Sequence, residues 1–248
     1  MLYQPGKTPH NLPFDPFKAC VVPRPIGWIS TTTPSFPDTP VRHNLAPYSQ
    51  FAQLNFDPPY VLFSANQKPH SSPEALDSRK DTVRNIEATG KFAWNLATYA
   101  LREAVNLTAQ QLPPEEDEFV HAGLEKVFST LLPGDESNPV PMVAASPIRF
   151  ECVYHSTLRL PGNGEMGSVD VVIGRVVGVH IADGVLDARG RVDVARVRPI
   201  ARCGYYEYAV VGGEGTMFEM VIPGDDEMLL AGLEGSRERV EGWRKEKL

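Results

Sequence analysis

Hydrophobic and polar residues alternate along this chain in the way that is typical of a protein built mainly of β-strands. Two long segments, Ile148–Leu160 and Val169–Ile181, are rich in β-branched and aromatic residues, which favour strands. Shorter segments of the same kind predict further strands at 20–22, 26–31, 42–51, 60–64, 91–96 and 205–211. The pattern therefore predicts a mainly β fold in which helices are few and short.

Helical periodicity is confined to a few segments. Asp81 can cap a helix that runs to Thr89, and Gly90 supplies the stop. Leu101, Val105 and Leu107 at near-helical spacing predict a second helix over 99–111, and the tail over 226–248 has an apolar helical face.

The segment Val169–Ile181 is the most apolar of the predicted strands. Its apolar residues include Val171, Ile173, Val176, Val177 and Val179. A nearly continuous apolar strand predicts burial on both faces. Gly174 and Gly178 interrupt it, and we expect them to mark bends where a barrel closes.

The chain of 248 residues fits one mainly β domain with additions, and its hydrophobic fraction of 42% is enough for a sizeable core. The first residues are rich in proline and polar groups. We predict an extended arm over 1–17, a barrel domain over 18–222 and a helical tail over 223–248.

Charge and cysteine content narrow the possible classes. The formal net charge is −7 and no long basic run occurs, which argues against a nucleic-acid partner. Most of the acidity lies in the run 113–118, which we interpret as a solvated loop or helix start. Three cysteines with no C-x-x-C spacing favour small core residues in a reducing compartment.

Neither a signal peptide nor a membrane span is expected, because no apolar stretch has the required length. We therefore expect a cytoplasmic protein. The six histidines are scattered without ligand spacing, so no metal site is predicted. Walker and G-x-S-x-G motifs are absent, and the Gly-rich segments 162–164 and 212–215 do not sit on strand-to-helix turns.

Three short blocks carry the candidate chemistry. Residues 23–31 read PRPIGWIST and end in the hydroxyls of Ser30 and Thr31, residues 44–49 read NLAPYS, and residues 80–86 read KDTVRNI. Each block places hydroxyls, amides or a cation where a strand ends or a helix begins. The N–H groups and dipole of a helix start favour an anion such as phosphate.

The third block is the most specific. Lys80 supplies a cation, Thr82 a hydroxyl and the helix start its N–H groups, which together suit a phosphate. Asp81 would repel a phosphate, so we expect it to cap the helix or to hold Arg84.

Each block alone also has an ordinary structural explanation. Serine and threonine favour turns and strands, Asn44 can turn the chain, and Tyr48 can pack in a core. The third block can be a plain capped helix with surface charge.

In this order, the three blocks resemble the flavin reductase-like, FMN-binding split-barrel family in its flavoredoxin-type branch, over roughly residues 18–210. A fourth block, residues 199–206 with the sequence PIARCGYY, resembles the late segment of that family. The resemblance implies a Greek-key split β-barrel that binds FMN at the interface of a homodimer.

The resemblance also implies which residues hold FMN. A strand beside the isoalloxazine ring can satisfy its N–H and C=O groups with amides and hydroxyls. The candidate residues are Arg24, Ser30, Thr31, Asn44, Ala46, Tyr48, Ser49, Lys80, Thr82, Asn85 and Arg202. Two departures from the family are a longer, Pro-rich loop over 34–41 and Cys203 where an aliphatic residue is usual.

The implied activity is hydride transfer from NAD(P)H through FMN to a small electron acceptor such as free flavin or oxygen, without a general base. One alternative is an FMN-binding electron carrier or flavin-sensing module without NAD(P)H turnover. Others are a non-flavin interaction protein of the same shape and a pyridoxamine phosphate oxidase-type enzyme, which the blocks match less well.

Overall fold

The computed structural model describes residues 1–67, 79–162, 168–213, 215–218 and 220. The chain divides into two compact units, residues 1–213 and 214–248, and all the elements described below belong to the first. The predicted tail helix over 226–248 and most of the predicted loop over 66–78 lie outside the described residues. The predicted domain limits stay predictions.

Twelve strands and four α-helices are present among the described residues. The strands are β1 (Arg24–Pro25), β2 (Gly27–Thr32), β3 (His43–Tyr48), β4 (Phe51–Phe56), β5 (Pro59–Asn66), β6 (Lys91–Asn95), β7 (Lys126–Phe128), β8 (Pro141–Val143), β9 (Ile148–Leu160), β10 (Val169–Ile181), β11 (Ile200–Gly204) and β12 (Glu207–Val210). The helices are α1 (Asp81–Thr89), α2 (Arg102–Leu107), α3 (Glu118–His121) and α4 (Val194–Val197). The prediction of a mainly β fold with short helices is confirmed.

The largest sheet has seven antiparallel strands in the order β3-β2-β6-β9-β10-β5-β4. Its edge strands β3 and β4 are nevertheless consecutive along the chain, separated only by Ser49 and Gln50. Six strand spacings of a flat sheet would span about 29 Å, whereas the three Cα–Cα steps across this link reach about 11 Å at most. The sheet must therefore curl until its edges approach, which produces a barrel.

Strand β2 is buried on both faces and separates two hydrophobic clusters. On the barrel side, Ile29 packs with Val83 and Ile86 of α1. On the opposite side, Trp28 packs with Phe119 of α3 and other apolar residues. The helical layer of α2 and α3 thus covers one side of β2, while α1 fills the other.

Helix α1 has the bounds that the sequence predicts. It begins at Asp81 and ends before Gly90, whose φ of 73° gives the left-handed stop. The N-cap residue is Lys80 rather than Asp81. The carboxylate of Asp81 instead accepts a hydrogen bond from the Arg84 guanidinium, which is the second of the two roles predicted for it.

The two longest strands also have the predicted bounds, and their register shifts next to the predicted bends. The pairing of β10 with β9 is irregular at Ile173/Gly174 and at Val176/Gly178. A Cβ atom at Gly174 would lie 2.4 Å from the ring of Phe92. The glycine therefore allows the interior aromatic ring to contact the backbone of β10.

The prediction that β10 is buried on both faces is wrong for the single chain. Its inward residues, including Val172 and Val176, are buried, whereas Val177, Val179 and Ile181 are 40%, 55% and 41% exposed. The apolar run reflects an inner face in the core and an outer apolar face that this chain alone does not cover.

Three local predictions need correction. Residues 20–22 form no strand, because they follow a 3-10 turn at Pro16–Ala19 and leave Val21 and Val22 exposed. The predicted strand over 42–51 is two strands, β3 and the start of β4, since the chain turns at the barrel seam.

The predicted helix over 99–111 is a 3-10 turn, Tyr99–Leu101, followed by the short helix α2. Helix α2 ends early, where Thr108 uses its hydroxyl to hydrogen-bond Val105 and Trp28. Strands β1, β7, β8 and β11 had no counterpart in the predicted elements.

Gly174→Ala should lower the free energy of unfolding by roughly 1–3 kcal/mol, because the added methyl group overlaps the buried Phe92 ring. Urea denaturation followed by circular dichroism measures the change. Gly184→Ala is the matched control, since a Cβ there meets nothing within 4 Å. Equal midpoints for the two variants would contradict the packing described for β10.

Candidate functional site

A polar cleft opens where the start of α1 meets strand β3. Its volume is about 130 Å³, and the segment between α2 and α3 forms its outer wall. The lining residues are Asn44, Ala46, Pro47, Tyr48, Lys80, Asp81, Thr82, Thr108, Ala109, Gln110, Gln111, Leu112 and Glu118. A second lobe of about 220 Å³ shares Asn44, Asp81, Leu112 and Glu118 with the first.

Strand alternation explains why these residues converge. Asn44, Ala46 and Tyr48 are two residues apart on β3, so they share one face. Thr31 of β2 pairs directly with Asn44 of β3, so the side chain of Thr31 lies on the same face. Helix α1 packs against that face through its buried Thr82 and through Asn85, which donates to the Thr31 hydroxyl at 3.0 Å.

A continuous set of hydrogen bonds crosses the base of the cleft. The Thr82 hydroxyl donates to Asn44 Oδ1 at 2.6 Å, and Asn44 Nδ2 donates to Glu118 Oε1 at 2.8 Å. The other carboxylate oxygen of Glu118 accepts from the backbone N–H of Leu45 at 3.1 Å. Elements α1, β3 and α3 are thereby joined through one amide and one carboxylate.

Burial raises the pKa of Glu118, and the hydrogen bonds from its own backbone N–H, from Leu45 and from Asn44 act in the opposite direction. The neighbouring charge of Asp117 adds to the increase. The pKa of Tyr48 is also raised by burial, and its hydrogen bond with Thr82 acts against that increase. The Tyr48 ring packs on Phe63 with centroids 4.7 Å apart.

The start of α1 provides the positive side of the cleft. The first N–H groups of a helix have no partner within the helix, and a lysine side chain at the N-cap cannot accept from them because it carries only donors. Lys80 and these N–H groups therefore suit a phosphate. The pairing of Asp81 with Arg84 offsets the negative charge at this place.

Ion pairs surround the second lobe. Arg42 lies 3.5 Å from Glu115, and Asp117 accepts a hydrogen bond from Lys126. Lys126 also lies 2.9 Å from His43 Nδ1. Burial and the charge of Lys126 lower the pKa of His43, while Asp117 acts against this decrease.

Hydrogen bonds fix the outer wall, residues 108–112, at its first residue, Thr108, and at its middle residue, Gln110. The indole N–H of the buried Trp28 donates to the Thr108 hydroxyl at 2.9 Å. Gln110 Oε1 lies 2.8 Å from His121 Nε2, which ties the wall to α3.

The structure brings together most of the residues that the sequence predicts for the site. Asn44, Ala46, Tyr48, Lys80 and Thr82 all line the cleft. Asn85 lines the second lobe, and Thr31 lies directly beneath it through their hydrogen bond. These positions make the residues available to a ligand, and their roles in binding one stay predictions.

The remaining candidates lie elsewhere in the single chain. Ser30 faces away from the cleft and accepts a hydrogen bond from Asn95. Ser49 is in the link after β3 and is not part of the cleft lining. Arg24 and Arg202 are opposite each other in the pairing of β1 with β11, and Arg202 donates to Tyr208. Their proposed contacts with a cofactor stay predictions.

Sequence reasoning missed Glu118 and the wall. The interpretation of 113–118 as a helix start is right at its end, where Asp117 caps α3 by accepting from the Phe119 N–H. The interpretation as a solvated run is wrong for Glu118, which is only 8% exposed. The apolar Phe119, which directly follows Glu118 in the sequence, was the available signal that this helix start packs inward. The structure buries its side chain completely.

The curled antiparallel sheet is that of a split-barrel protein, and its polar cleft lies at a helix start. Residues 19–196 match the family described as flavin reductase like domain. The chain therefore belongs to the flavin reductase-like family, which supports a flavin cofactor and a role of oxidoreductase type.

Individual relatives agree with this assignment. An uncharacterized protein of Halalkalibacterium halodurans is 34% identical over 77% of this chain and 83% of its own length. The structure of nitrilotriacetate monooxygenase component B from Bacillus cereus is 29% identical, with a TM-score of 0.73 over 89% of this chain and 98% of its own. A split barrel domain protein from Shewanella frigidimarina, 19% identical, shares the fold with a TM-score of 0.64 over 84% of this chain and 90% of its own.

Within the described part of the chain, no helix is both long and apolar enough to cross a membrane. The same residues contain no group of three or more His, Cys, Asp or Glu side chains that could hold a metal ion. The three cysteines are free thiols. Cys152 is buried as predicted, whereas Cys20 is exposed, so the prediction of a core residue is wrong there. A cytoplasmic location and the lack of a nucleic-acid partner stay predictions.

Proposed function

We propose that the protein binds FMN in the cleft and uses it to pass reducing equivalents from NAD(P)H to a small acceptor such as free flavin or oxygen. The observation that carries the proposal is the convergence of Asn44, Ala46, Tyr48, Lys80 and Thr82 on one cleft at the start of α1. Family membership supports the flavin, and the helix start supports a phosphorylated one.

FMN fits the donor set better than FAD does. The start of α1 offers Lys80 and first-turn N–H groups, which suit one terminal phosphate. A pyrophosphate commonly uses a Gly-rich turn from a strand into a helix. Among the described residues, the strand before α1 is β5, and Lys80 rather than a glycine precedes the helix.

Bound FMN would supply a ring that accepts a hydride and later releases electrons. The residues of this chain would bind and orient it. The β3 face with Ala46 and Tyr48 would lie along the ring, while the amide of Asn44 would offer hydrogen bonds at its polar edge. The wall over 108–112 would limit access of water on the outer side.

An FMN-binding electron carrier or sensor without NAD(P)H turnover is the second candidate. The observation that favours it is the pairing of the basic side chains beside the cleft with acidic ones. Arg42, Arg84 and Lys126 lie against Glu115, Asp81 and Asp117, respectively. Such pairing leaves less positive charge for the phosphates of a pyridine nucleotide.

The purified protein, whether it retains flavin or is loaded with FMN, tests both candidates. We expect a flavin spectrum, a predominant FMN peak when the cofactor is released by heat and separated by chromatography, and anaerobic bleaching by NADH or NADPH. A flavoprotein that bleaches with dithionite but with neither nucleotide would favour the carrier or sensor. A colourless protein that does not bind added FMN would exclude both.

Lys80→Ala should raise the Kd for FMN by about tenfold or more, because a hydrogen bond to a charged group contributes roughly 1.5–3 kcal/mol. Riboflavin, which has no phosphate, should bind the variant almost as well as it binds the wild type. Quenching of flavin fluorescence gives both constants. Lys7→Ala, in the exposed N-terminal segment, is the control. Equal weakening of both ligands would mean that Lys80 supports the fold instead.

We further propose that the protein is a homodimer joined through the outer face of β9 and β10. Its apolar residues Leu158, Leu160, Val177, Val179 and Ile181 are each at least 40% exposed in the single chain. Leu158 and Leu160 lie at one end of this face, and Val177, Val179 and Ile181 lie at the other. Exposed apolar residues that share one sheet face in this way are typical of interaction surfaces. A second copy is the proposed occupant because two-fold dimers are the commonest oligomers and an antiparallel strand pair offers a self-complementary surface.

Val177→Asp should convert the dimer to a monomer, since the charge would be buried against the partner copy. Light scattering gives the mass, and flavin absorbance of the same sample shows whether FMN is retained. Val21→Asp, at an exposed position far along the chain, is the control. Circular dichroism must show that both variants are folded. A folded Val177→Asp protein with the wild-type mass would contradict this interface.

A further inference from the structure

We propose that Glu118 is a positioning residue that, through its two carboxylate oxygens, fixes the direction of the Asn44 amide and so sets the hydrogen-bonding pattern offered to a flavin. The inference rests on the proposed function, since it concerns the same cleft. It assigns a role to the buried carboxylate, whose charge is otherwise costly at this place.

The location of Glu118 is the first argument. It is the first residue of α3, is 8% exposed, and lines both lobes of the cleft. Its two oxygens accept from two consecutive residues of β3, Asn44 and Leu45. The carboxylate therefore holds the strand that carries the proposed ring-facing residues, while its own helix is anchored by the buried Phe119.

Hydrogen-bond polarity is the second argument. An ionised carboxylate can only accept, so the Asn44 group that faces Glu118 must be the Nδ2 amine. Oδ1 then faces α1, where the Thr82 hydroxyl donates to it. One N–H of Asn44 and one lone pair of its Oδ1 remain for a ligand, and the ionisation of Glu118 determines where each of them points.

Protonation of Glu118 would remove the constraint on the direction of the Asn44 amide. A neutral carboxyl group can donate through its O–H, so the Asn44 amide could turn and present Oδ1 to Glu118. The Thr82 hydroxyl would then have to accept from Nδ2 instead of donating to Oδ1. Two patterns of donors and acceptors in the cleft are therefore possible, and the observed contacts are those of the ionised form.

Several charged groups lie near Glu118. Asp117, the N-cap residue of α3, directly precedes it and adds to the increase in its pKa. Asp81 of α1 lines both lobes with it, and Lys126 of β7 pairs with Asp117. The other charged groups around the lobes are Lys80, Arg84, Arg42, His43, Glu115 and Glu116. Since burial raises the pKa of Glu118 above its usual 4.5, the transition should fall above that pH.

Riboflavin is the appropriate probe, because the phosphate of FMN also changes its charge near neutral pH. Its Kd is measured by fluorescence quenching between about pH 5 and pH 8, where the fold can be checked by circular dichroism. For the wild type, the affinity for riboflavin should be highest at the upper end of this pH range. It should fall as the pH decreases through the raised pKa of Glu118.

Glu118→Gln should bind riboflavin about tenfold more weakly at the upper end, since glutamine has one acceptor oxygen for two donors. Its remaining pH dependence should lack the Glu118 transition. Glu125→Gln, the same substitution at an exposed position, should behave as the wild type does. A Glu118→Gln protein with the affinity and pH profile of the wild type would overturn the inference.

A second measurement needs no substitution and so stays valid if Glu118→Gln does not fold. The side-chain amide resonances of Asn44, followed by NMR in the wild-type protein, should shift with the same pH midpoint as riboflavin affinity. Resonances that stay constant while affinity changes would overturn the positioning role. Wild-type protein that binds neither riboflavin nor FMN at any pH would instead refute the proposed function.

Discussion

The candidate site depends on the burial of α1 inside the curled sheet. Val83 and Ile86 are fully buried in the barrel core, and this packing fixes the rotation of the helix. Thr82 and Asn85, each one residue before an anchor, consequently face the polar positions of β2 and β3. The same apolar contacts bring the N-terminal turn of α1 to the cleft. The polar cleft at this place is thus a consequence of how a short amphipathic helix packs in the barrel core.

Local patterns predicted the elements whose formation is decided locally. Helix α1 carries its own stop signal in Gly90, and its predicted and observed bounds agree. Strands β9 and β10 are long enough for β-branched residues to define both ends. The alternation along β3 likewise places Asn44, Ala46 and Tyr48 on one face, so this part of the site followed from sequence.

Features that depend on distant parts of the chain were not predictable in this way. The break between β3 and β4 arises because the barrel closes there, which leaves no mark in local periodicity. Glu118 is buried because the amides of β3 lie opposite it, although an acidic run normally indicates a solvated surface. Ser30 belongs to a conspicuous hydroxyl run, but the alternation of β2 turns it away from the cleft towards Asn95.

The contact between Trp28 and Thr108 links the deepest part of the core to the outer wall of the cleft. The indole is completely buried, and its N–H holds the residue at which the wall begins. A displacement of Thr108 would break this hydrogen bond and change the polarity around the indole. The emission of Trp28, distinguished from that of Trp94 and Trp243, would therefore report the position of a surface segment from within the hydrophobic core.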